Sequence, residues 1–237
     1  MHQRAAITRE KLTLSVGDGT TMGAYLASPG EETAHPGIIV LQEAFGVNSH
    51  IRNVADRLAG RGYVAIAPEL YHRTAPGFEA GYKDFSSALP HARAVTTATA
   101  TADLQAAFDW LRTRPGVQSD AIFSVGFCLG GKISFLANSL LPLRAAVSFY
   151  GGGIAPDLLD RAATLHAPML LFWGGLDKHI TKELRRATVD ALEDHGKNYV
   201  NVEFSKADHG FFCDERASYQ PQAAKQAWSL MLEFLQS

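Results

Sequence analysis

After Pro36 the chain is dominated by short, unbroken apolar runs: 37–41, 63–67, 122–125, 145–149, 169–173 and 200–204. Helix candidates lie between them, near 49–61, 93–114, 130–141, 180–195 and 221–236. A strand that reads as a continuous apolar run is buried on both faces, as in the interior of a parallel sheet. Alternation of such strands with helices predicts a mainly parallel sheet with helices on both faces. The first residues follow another rule. Leu12-Thr13-Leu14-Ser15-Val16 alternates, Gly17-Asp18-Gly19 is a turn signal, and Met22 to Ala27 returns, which predicts an antiparallel N-terminal hairpin. Residues 68–92, of mixed polarity, read as a long loop after a strand and a candidate pocket wall. With no internal repeat, charge block or linker, residues 1–237 read as one α/β domain. In such sheets ligands sit at the carboxyl ends of the strands, so chemistry is sought just after each apolar run.

Composition narrows the partners. The net charge is −2 over 237 residues, with 22 basic and 24 acidic side chains, giving no electrostatic reason to bind nucleic acid or an anionic membrane. The expected partner is a small molecule, and both a monomer and a small homo-oligomer suit this surface. The two cysteines, Cys128 and Cys213, are too few for a disulfide scaffold and form no CxxC metal pair. The first ten residues contain no apolar signal-peptide region. The segment nearest to a membrane span, 135–150, is broken by Asn138, Pro142 and Arg144 and falls short of the roughly 18–20 apolar residues required. A cytoplasmic protein with reduced thiols is the expectation.

The run 122–125 leads into Gly126-Phe127-Cys128-Leu129-Gly130-Gly131 and then a helix. This is the strand–Gly-x-nucleophile-x-Gly–helix elbow with cysteine in place of serine. A thiol there meets the free N–H groups and positive end of a helix, which favour thiolate; the plainer alternative is a small buried cysteine in a tight turn. The same stretch matches the phosphate-cradling GxxxxGK loop, but Ile133 stands where a magnesium-ligating Ser or Thr is required.

A nucleophile elbow needs an acid and then a histidine, in that chain order. His209 follows the 200–204 run, and Asp177 comes four residues after Trp173, so Cys128, Asp177 and His209 satisfy the order on loops at strand ends. Asp177 also suits a helix N-cap, and Asp208 is expected to shape the loop beside its neighbour. Glu43 ends the run 37–41, where a carboxylate is either a solvated strand-end charge or a partner that controls thiol ionisation. The same turn supplies backbone amides, and the oxyanion hole is expected from the N–H groups of Ala44 and Leu129.

Five segments in order, Gln42-Glu43-Ala44-Phe45-Gly46, Pro68-Glu69-Leu70-Tyr71-His72-Arg73, Gly126 to Gly131, Gly174-Gly175-Leu176-Asp177 and Asp208-His209-Gly210-Phe211, resemble the dienelactone hydrolase family of the α/β-hydrolase fold. The resemblance implies Cys128 as nucleophile, His209 as base, Asp177 as its orienter and Glu43 as the regulatory carboxylate. Arg73 is similar in position to an arginine that binds the substrate carboxylate. The chain departs from the pattern in one place: members that cleave dienelactone carry a second arginine four residues after the histidine, where this chain has Cys213, with Arg216 three residues further on.

The expected activity is hydrolysis of a small lactone or ester through a thioester acyl-enzyme, with no metal or cofactor. Two alternatives remain at this point: a general small-ester hydrolase indifferent to a substrate carboxylate, and a non-catalytic small-molecule binding protein on the same fold.

Overall fold

The computed structural model describes residues 6–30 and 33–236. The chain divides into two compact units, Met1–Phe123 and Ser124–Ser237, with the boundary inside one strand.

The first unit opens with β1 (Ile7–Ser15) and β2 (Thr21–Pro29), antiparallel, with Ser15 opposite Thr21 across the predicted turn. It continues with β3 (His35–Leu41), α1 (Ser49–Ala59), β4 (Val64–Pro68), α2 (Phe85–Ala94), α3 (Thr97–Thr113) and the start of β5 (Val117–Phe127). β2 pairs antiparallel with β4, and β3 parallel with β4. The second unit takes the end of β5, then α4 (Leu129–Leu140), β6 (Ala145–Phe149), β7 (Met169–Gly174), α5 (Lys182–Asp194), β8 (Tyr199–Phe204) and α6 (Pro221–Phe234). Here β6, β7 and β8 pair in parallel. In hydrogen-bonded order the strands run β1-β2-β4-β3-β5-β6-β7-β8, a mixed sheet with its antiparallel pair at one edge.

The apolar runs became the central strands for the expected reason. Ile38, Ile39, Val40 and Leu41 in β3, and Leu170, Leu171 and Phe172 in β7, are wholly buried although successive side chains point to opposite faces, so helices cover the sheet on both sides. β8 departs from this reading. It is an edge strand with most residues exposed or half-exposed, and the polar members of its run have definite tasks: Asn201 accepts a 2.7 Å hydrogen bond from the indole of buried Trp173.

The long loop of the sequence reading contains α2. Asp84 caps it by accepting from Ser87 N–H at 3.3 Å, and Pro90, which marks a breaker by sequence, lies inside it. The chain leaves helical geometry at Val95, and α3 restarts from a reciprocal capping box between Thr96 and Thr99. No helix among the described residues is long and apolar enough to cross a membrane.

Candidate active site

Cys128 sits between β5 and α4 at φ 54° and ψ −113°, a left-handed backbone position that a non-glycine residue seldom adopts. Such strain amounts to about 1–3 kcal/mol and persists where the surroundings over-determine it. Three features do so. The Cys128 amide donates to Phe149 O at 3.0 Å, tying the elbow to β6. The buried hydroxyls of Ser124 and Ser134 meet at 2.8 Å and clamp strand to helix. A Cβ at Gly126 would run into the carbonyl of Gly130, so only glycine admits this turn. The thiol is half-buried, and the Leu129 amide beside it opens α4, where an N–H has no intrahelical acceptor.

Asp177 and His209 converge on the same place from the ends of β7 and β8. Asp177 Oδ2 lies 2.7 Å from His209 Nδ1, and Asp177 Oδ1 accepts the amides of His179 and Ile180 at 2.8 and 3.0 Å. Asp177 is therefore the partner of the histidine; the N-cap of α5 is Thr181. Burial works against ionisation of Asp177, yet its contacts with His209 and the two amides hold its pKa below the usual carboxylate value. Asp208 shapes the loop as expected, its Oδ1 accepting the His209 amide at 2.7 Å.

The other side of His209 shares a hydrogen bond with Cys128. Burial disfavours the imidazolium, but attraction to Cys128 comes next in strength, followed by the bonds to Asp177 and Cys128. Together these push the His209 pKa up to about 10. Sulfur, imidazole and carboxylate thus stand in one hydrogen-bonded row within the second unit.

Sequence reasoning passed over Tyr150. It directly follows β6 at φ 39°, is fully buried, and its ring packs on His209 with centroids 5.1 Å apart. The signal was available: it directly follows the apolar run 145–149, at a strand end of the kind where chemistry was sought. Arg216 reaches the histidine loop, because its guanidinium occupies the space a Cβ of Gly210 would need.

The remaining candidates belong to the first unit. Glu43 is fully buried at the end of β3, which rules out the solvated-charge reading. Gln42 fixes this turn, accepting Leu70 N–H at 3.1 Å and donating to Glu43 O at 3.3 Å, while the Tyr71 hydroxyl donates to Ala44 O at 3.0 Å. The segment after β4 is thereby fastened to the turn that carries Glu43 and Ala44.

Arg73 stands differently from its expected role. Its Nη1 and Nη2 bond Asp103 at 2.9 and 2.8 Å, and its Nε bonds Asp18 at 2.8 Å, so most of its donors are committed within the protein.

Comparison with known proteins shows the family. The dienelactone hydrolase family model matches residues 22–237. A Synechocystis sp. protein provisionally named a carboxymethylenebutenolidase is 39% identical over 227 residues, spanning 91% of this chain and 92% of its own. The Pseudomonas putida carboxymethylenebutenolidase is 31% identical over 229 residues, 95% of each chain. A crystal structure from Klebsiella pneumoniae, provisionally named a dienelactone hydrolase, superposes with a TM-score of 0.89 at 33% identity, covering 98% of this chain and 99% of that one. The mixed sheet with its strand–Cys–helix elbow is an α/β-hydrolase fold, and a family match across nearly the whole chain makes this a hydrolase of esters or lactones. The chain belongs to the dienelactone hydrolase family.

Proposed function

We propose that the protein hydrolyses a small lactone or ester by nucleophilic catalysis at Cys128. The observation that carries this reading is the His209 imidazole, shared between Asp177 and Cys128 and holding its proton up to a pKa of about 10. That arrangement places His209 to take the Cys128 proton. The thiolate attacks the acyl carbon and the C=O electrons move onto oxygen. The Leu129 amide receives the oxyanion; a donor so placed contributes about 3–4 kcal/mol. Collapse expels the alkoxide or enolate, which takes the proton from His209 and leaves a thioester on Cys128. Neutral His209 then removes a proton from water as it attacks the thioester. The second collapse releases the acid and restores the pair, so the balance is ester plus water to acid plus alcohol. An enol lactone gives an enolate, a better leaving group than an alkoxide, which fits a thiol nucleophile.

Two further roles rest on the family motif of the first unit: Ala44 N–H as second oxyanion donor, and Glu43 as the carboxylate that controls thiol ionisation. The reading takes residues 1–237 as one catalytic domain, because the family model spans both units.

A second reading, a small-ester hydrolase indifferent to a substrate carboxylate, draws support from Arg73. Its guanidinium is already paired with Asp103 and Asp18, and Cys213 stands where the second arginine of the family would be. Comparing p-nitrophenyl acetate with a carboxylate-bearing dienelactone, for wild type, Cys128→Ala and Cys128→Ser, tests both readings. Turnover abolished in Cys128→Ala supports nucleophilic catalysis, and undiminished turnover excludes it. The ratio of the two substrates shows whether a carboxylate is selected.

A further inference from the structure

Among the described residues Arg185 is the only buried lysine or arginine, 7% exposed, in the first turns of α5. A buried guanidinium is unfavourable unless its donors find partners, and the partners it has are informative. Nη1 lies 2.6 Å from Ile180 O and 3.4 Å from Gly174 O, and Nε lies 3.2 Å from Glu203 on β8. Gly174 ends β7, and Ile180 directly precedes the Thr181 cap of α5. One nitrogen therefore joins the carbonyls at both ends of the loop that carries Asp177.

Asp177 fastens the same loop from within. Its amide donates to Gly174 O at 3.3 Å, and its Oδ1 accepts Ile180 N–H at 3.0 Å. Ile180 is thus held by its N–H through Asp177 and by its carbonyl through Arg185. Only Asp177 Oδ2 is left to face His209.

We propose that Arg185 is a positioning residue for the acid of the relay: by closing the Gly174–Ile180 loop it sets Asp177 Oδ2 against His209 Nδ1. This rests on the reading of Cys128, His209 and Asp177 as the catalytic relay. Arg185 hydrogen-bonds the loop through Nη1 and meets Glu203 only as an ion pair; its effect reaches the chemistry through the orientation and charge of His209. A displacement of about 1 Å in such a support lowers rates severely. Among the described residues, Asp177, Cys128, Tyr150 and His179 stand against His209, and the carboxylates that interact with Arg185 are Glu203 on β8 and Glu183 on its own helix.

The test compares Arg185→Gln, Arg185→Lys, Asp177→Asn and the Arg185→Gln/Asp177→Asn pair. It reads kcat and KM for p-nitrophenyl acetate, the alkaline limb of the pH profile, and Tm. Arg185→Gln is expected to lower kcat about tenfold with KM changed less than about twofold. Its alkaline limb moves about one pH unit lower, because a loosened Asp177 supports the imidazolium less well. Arg185→Lys, which keeps a charged donor for Ile180 O, recovers part of both effects, and the double variant is no slower than Asp177→Asn.

A lower Tm in Arg185→Gln with kcat and limb unchanged would show a structural staple and overturn the proposal. Should Arg185→Gln fail to fold, Arg185→Lys decides on the same readouts: a reduced kcat with a lowered limb supports the proposal, and wild-type values of both overturn it. Wild-type kcat in Asp177→Asn would instead overturn the relay itself, which separates the two failures.

Discussion

Among the described residues two histidines bond a buried aspartate, and only one of them is placed for the proposed chemistry. In the first unit His72 Nε2 meets Asp103 Oδ1 at 3.0 Å; in the second His209 Nδ1 meets Asp177 Oδ2 at 2.7 Å. The difference lies beyond the pair. Asp103 also receives two bonds from Arg73, and the far nitrogen of His72, Nδ1, has no hydrogen-bond partner among the described residues. Asp177 has backbone amides as its other partners, and the far side of His209 meets a strained, half-buried thiol. A histidine oriented by a carboxylate is a general base only where its second nitrogen faces a group that exchanges a proton. His72 has no such partner among the described residues, and its pair binds the segment after β4 to α3.

The sharpest break of this comparison is substitution at the thiol. Cys128→Ala is expected to lower ester turnover at least about 10³-fold, since members of a catalytic relay act as a unit. Next come the two aspartates. Asp177→Asn should lower kcat about 10²–10⁴-fold while the protein stays folded, because the imidazole loses both its orientation and its counter-charge. Asp103→Asn should do the reverse: removing one partner from a buried ionic network costs about 3–5 kcal/mol of stability, read in denaturant unfolding, with kcat of the folded fraction near wild type. An Asp103 variant that loses kcat and keeps its stability would erase the distinction drawn here.

A smaller effect is the pH profile. A raised pKa means that His209 keeps its proton until about pH 10, so acylation, which uses that proton for the leaving group, should hold up to about pH 10 and fall above it. Single-turnover cleavage of an alkyl ester, whose alkoxide needs that proton, measures this against pH. In Cys128→Ser the histidine titration seen by NMR should move lower, because attraction to Cys128 does most to raise it. The smallest effect expected is that of Arg73→Met on selectivity. The rate ratio between carboxylate-bearing and neutral esters should change less than about twofold, because its guanidinium is held by Asp103 and Asp18.

Much of this was legible in the sequence because it depends on local pattern. Doubly buried strands write themselves as apolar runs, and the elbow needs Gly126, Cys128 and Gly130 in fixed positions. The order of Cys128, Asp177 and His209 follows from which strand each one ends. Other features were illegible because they arise from contacts far apart in the chain. The mixed polarity of 68–92 hid α2, whose start is set by the Asp84 cap. Arg73 carries no mark of Asp103, a buried member of α3, and Arg185 reads as an exposed helix cation until the loop folds back over it. Tyr150 needed only the rule already in use, applied to one more strand end.

The most direct test of the account is to stop p-nitrophenyl acetate turnover with acid in the pre-steady state and locate the acyl group by mass spectrometry of peptides. The account predicts one acetyl group on the peptide carrying Cys128, at a thioester that hydroxylamine cleaves, absent from Cys128→Ala. An acyl group found on another side chain, or continued turnover with Cys128 never labelled, would contradict it.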